Sequence, residues 1–253
     1  MHAADARSLK EHYDREGYAV VRQFLPPSDF AELRQNLDRY IRDVVPHLPA
    51  TEAFYDVDRT RPESLKQLHR MAHDSFFDAY RRHPAWVALA EQLIGEPAAA
   101  DDPEWFNKPP LSESGTPPHQ DNYYFCLEPC HVATLWLALD RVDEENACVR
   151  YVPGSHLQPV RPHARSSTLG FSQTISDYGP DDAAREVSTW LEPGDLIVHH
   201  GNTIHLAGAN RSATRHRRAF AMVFKGVSCR RDEAAFARYQ AAVKQQHAEI
   251  GVK

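Results

Sequence analysis

The spacing of apolar residues changes character near residue 97. Before it the pattern is mostly helical. Residues 5–16 are charged and helix-compatible up to Gly17, after which Tyr18-Ala-Val-Val-Arg-Gln-Phe-Leu25 reads as a strand. Pro26-Pro-Ser-Asp is a break in which Ser28 is placed to cap the helix that follows. In that helix Phe30, Leu33, Leu37, Tyr40 and Val44 recur at helical spacing, so one apolar stripe faces a core until Pro46. The prolines of 46–62 predict a loop with a short strand at Ala53–Val57, and Leu65–Leu68 is too short for its period to decide. Asp74 is placed to cap a helix through Arg82. A second helix has Pro84 in its first turn, Trp86, Leu89 and Leu93 on one face, and Gly95 as terminator. These helices predict a layer backing one face of a sheet.

Beyond residue 97, short apolar runs alternate with Pro, Gly and Asp. The predicted strands are Trp105–Asn107, the Tyr123 region, Ala133–Leu139, Cys148–Val152, Glu186–Trp190, Asp195–Val198, Thr203–Leu206 and Arg218–Phe224. Many short strands of this kind predict a sandwich or barrel, of which the double-sheet jelly roll is one closure. The Ser-, Pro-, Gly- and Asp-rich segment 157–185 reads as a long loop and a candidate lid. Residues 232–249 return to helix, with Phe236, Tyr239 and Val243 on one side. Together these elements predict one domain over 1–253, mainly β with flanking α: helical support over about 1–96, a core over about 97–228, and a C-terminal helix.

Composition narrows the function classes. At 253 residues, with 42% hydrophobic and 25% charged residues, the chain has the make-up of a globular protein with a substantial core. A formal charge of −6 argues against nucleic acid as the main partner, although Arg215 to Arg218 form a local basic cluster. No apolar run approaches membrane-spanning length and the first residues lack a leader pattern, so the expected compartment is the cytoplasm. Cys126, Cys130, Cys148 and Cys229 are too few and too uneven for a disulfide scaffold. Cys126, Cys130 and His131 are close together but lack the second ligand pair of a zinc site, and are read as ordinary thiols.

The chemistry concentrates in Thr116-Pro-Pro-His-Gln-Asp-Asn-Tyr-Tyr-Phe125, which carries His119 and Asp121 at the edge of a predicted strand. Strand side chains alternate faces, so residues two apart project together and can grip one ion. A third candidate ligand lies 84 residues beyond Asp121, where Gly194-Asp-Leu-Ile-Val-His-His-Gly-Asn-Thr-Ile-His205 runs from an apolar strand into a histidine. Two histidines and one carboxylate on one face of an ion leave positions open, the arrangement of non-haem iron(II) oxygenases. Any one of these histidines alone is better explained by packing or solvent exposure; the case rests on the set.

The set stands among further motifs: Asn107-Lys-Pro-Pro110, Tyr124-Phe125, Trp136, Asn146-Ala-Cys-Val-Arg-Tyr-Val-Pro-Gly-Ser-His156, Pro193-Gly-Asp195, Gly208, Asn210 and Arg217-Arg-Ala219. In order and spacing, residues 104 to 225, about half the chain, resemble the phytanoyl-CoA dioxygenase family of iron- and 2-oxoglutarate-dependent oxygenases. The resemblance implies a jelly-roll core (a double-stranded β-helix), with Fe(II) held by His119, Asp121 and His205. The cofactors it implies are Fe(II), 2-oxoglutarate as cosubstrate and dioxygen; the products are succinate, carbon dioxide and a substrate hydroxylated at an unactivated C–H. His200 aligns with a histidine that recurs in relatives without ligating iron, and is read as a structural or supporting residue. The far carboxylate of 2-oxoglutarate needs a guanidinium, for which Arg217 is the assignment and Arg215 and Arg218 are alternatives, because the spacing from His205 is one residue longer than in relatives. Strand alternation allows only one of Arg217 and Arg218 to point inward.

Trp136 is implied as a wall of the cosubstrate pocket, and Lys66 as a further contact. Ala207 stands where some relatives carry a hydroxyl that touches the cosubstrate. Asp121 argues against the halogenases of related families, which replace the carboxylate with a small residue. The partner implied is a small molecule of undefined identity; Tyr123, Tyr124 and Phe125 are candidate substrate walls, or simply core. A catalytically silent metal-binding jelly roll and a zinc hydrolase using the same triad are the competing readings.

Overall fold

Residues 3–165 and 173–250 are described by a computed structural model, without the side chains of 3–5 and 242–250. Helix α1 (Ala3–Glu16) ends at Gly17, whose φ of +82° suits glycine. A side chain at Gly17 would also meet His156 and Thr203, both with atoms 2.5 Å from the Cβ position, so the turn into β1 (Tyr18–Val21) needs a bare backbone. β1 is shorter than the predicted strand because the chain turns away at Gln23, with φ of +45°. Helix α2 (Pro27–Asp43) starts on the tandem prolines. Ser28 is therefore not its cap but sits inside the first turn, where its hydroxyl donates to Asp29. Leu33, Leu37 and Tyr40 are buried along the predicted stripe.

The ambiguous Leu65–Leu68 forms strand β3, paired with β2 (Ala53–Tyr55). The predicted helical support over about 1–96 thus also supplies three strands. Helix α3 (Ser75–Tyr80) is capped by Asp74, whose carboxylate accepts from the Phe76 backbone N–H at 3.0 Å. Helix α4 (Pro84–Ile94) has Pro84 in its first turn and ends at left-handed Gly95. Next come β4 (Ala98–Ala100), β5 (Glu104–Lys108) and β6 (Thr116–His119).

The Tyr123 region is not a strand. It coils into the one-turn helix α5 (Asn122–Phe125), entered by Asp121 in helical conformation. Asn122 stabilises the coil by exchanging two 3.0 Å hydrogen bonds between its side-chain amide and the Leu127 backbone. Strands β7 (Leu127–Glu128), β8 (Val132–Ala138) and β9 (Val149–Tyr151) follow. Within the predicted loop 157–185, β10 (His163–Arg165) pairs with β11 (Gln173–Ile175), ahead of α6 (Pro180–Ala183). Residues 166–172 of the candidate lid lie outside the described residues. The chain continues through β12 (Val187–Ser188), β13 (Leu196–His200), β14 (His205–Ala207), β15 (Arg217–Gly226) and β16 (Arg230–Arg231) to helix α7 (Glu233–Ile250).

Two antiparallel sheets form the jelly-roll core. The major sheet runs β1-β13-β8-β15-β5-β3-β2, with β4 beside the end of β15, and the minor sheet runs β12-β9-β14-β6. Both faces of the major sheet are covered, which accounts for the unbroken burial of β8. Its outer face, with Leu135, Leu137, Val198, Phe220 and Met222, packs on the helices through Trp86, Leu89 and Phe77. Its inner face, with Trp136, Ile197, Ala219 and Ala221, meets Val149 and Tyr151 of the minor sheet.

Phe220 joins sheet to helices, with its ring 5.6 Å from those of both Tyr80 and Trp86 in edge-to-face contact. Phe220→Ala is expected to lower stability by about 3–5 kcal/mol, read as a fall in the urea midpoint.

Candidate metal centre and cosubstrate cavity

His119 and His205 are brought together by strand pairing. They are directly opposed partners in β6 and β14, and opposed residues of an antiparallel pair share a face. Their ring centroids lie 4.1 Å apart. Each ring is oriented by its own backbone: His119 Nδ1 lies 2.8 Å from the Pro117 carbonyl and His205 Nδ1 lies 3.0 Å from that of Thr203. With Nδ1–H donated to a carbonyl, Nε2 carries the lone pair that a metal takes.

Asp121 arrives differently from what strand alternation predicts. β6 ends at His119, and Asp121 enters the turn of α5, so that turn rather than the strand aims the carboxylate between the two rings. Its Oδ1 lies 3.5 Å from His119 Nε2 and 3.6 Å from His205 Nε2. One donor atom from each of the three side chains falls within 4.8 Å of the others, which suits a shared ion. Donor set and orientation fit a metal that accepts two imidazoles and a carboxylate.

The electrostatics prepare the same state. Burial pushes the His205 imidazole well below its usual range, and His119 and His199 add to the shift, so His205 is a neutral imidazole at neutral pH. Burial opposes ionisation of Asp121, but the His205, His119 and His199 imidazoles around it hold its carboxyl well below the usual range. Asp121 Oδ2 accepts from the Thr134 hydroxyl at 2.8 Å and from His199 Nε2 at 3.1 Å.

By sequence His199 is weighed only as a rival to His205 for the distal place, and His200 is read as structural or supporting. On β13 the two histidines face opposite ways. His199 points inward to Asp121, whereas the ring of His200 lies 5.3 Å from that of His156 and 6.3 Å from that of Tyr13. The alternation that separates them is visible in the sequence; which of them faces the gap between the sheets is not.

A cavity of about 350 Å³ opens beside the three candidate donors, with Arg217, Trp136, Lys66 and Lys108 in its wall. The two arginines of β15 separate cleanly. Arg217 is 5% exposed, lies inward with its guanidinium 5.3 Å from the Trp136 ring, and has no partner for Nε among the described residues. Burial pushes this guanidinium down to about 10, which leaves it charged at neutral pH. Arg218 turns outward and grips Asp140 at 2.7 and 2.9 Å, and Arg215 is held by Asp143 at 2.8 and 2.9 Å.

Lys66 donates to Ser114 Oγ at 2.9 Å and lies 3.3 Å from Asp56. Lys108 was missed, although it stands within the Asn107-Lys-Pro-Pro110 motif. It is the direct cross-strand partner of Arg217, and its ammonium donates to the Ser114 carbonyl at 2.6 Å. Burial, together with Arg217 and Lys66 nearby, depresses its pKa well below the lysine range. Tyr124 and Phe125 line the same cavity, whereas Tyr123 stacks on His163 at 4.0 Å and meets Tyr239 of α7. The strand pair β10–β11 is tied down beside the candidate donors: Tyr124 donates to the Gln173 carbonyl at 2.9 Å and Thr174 to that of Pro118 at 3.1 Å. The side chain of Val243 lies outside the described residues. All four cysteines are free thiols.

The family model for phytanoyl-CoA dioxygenase (PhyH) matches residues 13–219. The chain belongs to the phytanoyl-CoA dioxygenase family. This places it among iron- and 2-oxoglutarate-dependent oxygenases. The peroxisomal phytanoyl-CoA dioxygenase of Bos taurus is 26% identical over 234 residues, covering 87% of this chain and 68% of the bovine one. A probable phytanoyl-CoA dioxygenase of Caenorhabditis elegans is 26% identical over 220 residues, covering 80% and 70%. Among solved structures, the epimerase SnoN in complex with Fe3+, alpha-ketoglutarate and nogalamycin RO is 25% identical with a TM-score of 0.70, covering 90% of this chain and 86% of that one. EvdO2 from Micromonospora carbonacea var. aurantiaca, complexed with 2-oxoglutarate, is 26% identical with a TM-score of 0.69, covering 88% and 91%. Among the described residues of this family member, no helix is long and apolar enough to cross a membrane.

Proposed function

We propose that this protein is an Fe(II)- and 2-oxoglutarate-dependent dioxygenase, one domain over the whole chain, that hydroxylates an unactivated C–H of a small molecule. The observation that carries this reading is the coexistence, in one cavity, of a three-donor metal face and a buried guanidinium with a nitrogen that has no partner among the described residues. His119, Asp121 and His205 hold the metal, neutral imidazoles and an ionised carboxylate being the forms a divalent ion takes. Arg217 receives the far carboxylate of 2-oxoglutarate, its fork matching two oxygens with charge-assisted hydrogen bonds. Trp136 limits how far that carboxylate can move, and the amino groups of Lys66 and Lys108 lie in the same cavity wall. Ala207 donates no side-chain hydrogen bond, so Arg217 carries the tail. Bound iron and 2-oxoglutarate supply the oxidising power, with the keto acid leaving as succinate and carbon dioxide. Tyr124 and Phe125 exclude water and help hold the substrate's reacting carbon near the metal.

The test starts with anaerobic loading of Fe(II), followed by 2-oxoglutarate. A visible charge-transfer band is expected, and admission of oxygen should then release succinate even without substrate, in the slow uncoupled reaction. A silent binding protein gives the metal complex but no succinate. A zinc hydrolase works with zinc and ignores 2-oxoglutarate. Because SnoN is an epimerase, the product mass matters once a substrate is found. Hydroxylation adds one oxygen atom, whereas epimerisation leaves the mass unchanged.

A further inference from the structure

The Asp121 carboxylate divides its two oxygens between different tasks. Oδ1 faces the Nε2 atoms of His119 and His205, and Oδ2 is engaged by Thr134 and His199. Thr134 and His199 are directly opposed partners on β8 and β13, so the inner face of the major sheet presents both donors side by side to one oxygen. His199 is itself held. The hydroxyl of fully buried Tyr151 lies 2.9 Å from His199 Nδ1, and Tyr151 on β9 is the cross-strand partner of His205. Tyr151 is packed in place by Tyr18, stacked on it at 4.6 Å with the planes 6° apart.

The direction of the hydrogen bonds follows from the acceptor at the end. An ionised carboxylate only accepts, so His199 Nε2 carries the proton and Nδ1 accepts from the Tyr151 hydroxyl. This tautomer explains why His199, with its ring 4.3 Å from that of His205, is not a fourth nitrogen ligand: the nitrogen nearest the site has no free lone pair. A fourth protein ligand would occupy a position that a chelating keto acid or dioxygen requires.

Resting on the iron-site reading above, we propose that His199, locked in its tautomer by Tyr151, is a positioning residue that presents Asp121 to the metal through Oδ1 alone. It acts with Thr134. Removing either donor lets the carboxylate rotate towards two-oxygen ligation, and freeing the His199 tautomer lets its ring compete for the ion.

The test uses Co(II) as the probe on the whole protein, without 2-oxoglutarate or turnover. Affinity is measured by equilibrium dialysis, and coordination by the visible ligand-field spectrum. His199→Phe and Thr134→Val are each expected to weaken Co(II) binding by about 10–100-fold and to change the spectrum, the range usual for losing a partner of a metal ligand. His199→Gln, which retains an N–H donor, should recover most of the affinity. Tyr151→Phe should alter the spectrum more than the affinity. Thermal unfolding of the metal-free proteins separates these effects from misfolding, and Thr134→Val, close in shape to the wild type, provides the independent arm if His199→Phe does not fold. Wild-type affinity and spectrum in both His199→Phe and Thr134→Val would overturn the positioning role. Failure of the wild-type protein to take up Co(II) would instead overturn the metal reading, and the positioning role with it.

Discussion

His205→Ala is expected to abolish detectable Fe(II) binding and succinate release, while His200→Ala binds Fe(II) with an affinity close to wild type. The two residues are five apart in sequence and burial pushes both imidazoles below their usual range, yet they occupy different places. His205 completes the group of three donors, and without it two remain. Removing a residue that merely supports a ligand costs about 10–100-fold in affinity, so removing the ligand itself should exceed about 100-fold. His200 belongs to the contact between α1 and β13: its backbone N–H donates to the Gly17 carbonyl at 2.9 Å and its ring faces His156. Its removal should therefore appear in thermal stability rather than in metal affinity. Iron titration monitored by dialysis reads both variants, and equal loss from both would mean that the distal ligand is misassigned.

Arg217→Met should raise the 2-oxoglutarate concentration needed for half-maximal turnover by about 100-fold or more, with Fe(II) affinity unchanged. Removing one partner from a buried charge pair costs about 3–5 kcal/mol, and each 1.4 kcal/mol is tenfold in affinity. Arg217 is buried within the protein, so solvent cannot replace it. Arg218→Met is the control. That side chain is 37% exposed and pairs with Asp140 away from the cavity, so its loss should cost at most about 1 kcal/mol of stability and leave the 2-oxoglutarate requirement in place. Paired titrations of 2-oxoglutarate against succinate release decide the matter. An unchanged requirement in Arg217→Met would dismiss this arginine as the anchor.

The fold was legible where a signal repeats locally. The stripe of α2, the proline start and glycine stop of α4 and the apolar run of β8 all lie in windows of a few residues, and each is an element where predicted. Failures came where a longer-range contact outweighs a local preference. Tyr123, Tyr124 and Phe125 have the composition of a strand, but Asn122 hydrogen-bonds across to Leu127 and Gly201 and coils them into a helical turn. Ser28 is a good cap by residue type, yet a competing local signal, the tandem prolines beside it, sets the helix start two residues earlier, with Pro26 at the cap.

For the site, the sequence by itself determined the inventory: two histidines, one aspartate and a pair of adjacent arginines, in an order that marks the family. Such an inventory is carried by residue identity and spacing, which the chain displays without folding. Only the tertiary structure decided how the inventory is used. It set His119 opposite His205, sent Asp121 between them through a turn, chose Arg217 over Arg218 for the cavity, and brought His199 to the carboxylate with Tyr151 behind it. The reason is that strand register and the choice of inner face arise from pairing between segments tens of residues apart. A shift of one residue exchanges every inward side chain for its neighbour, and no local pattern contains that choice.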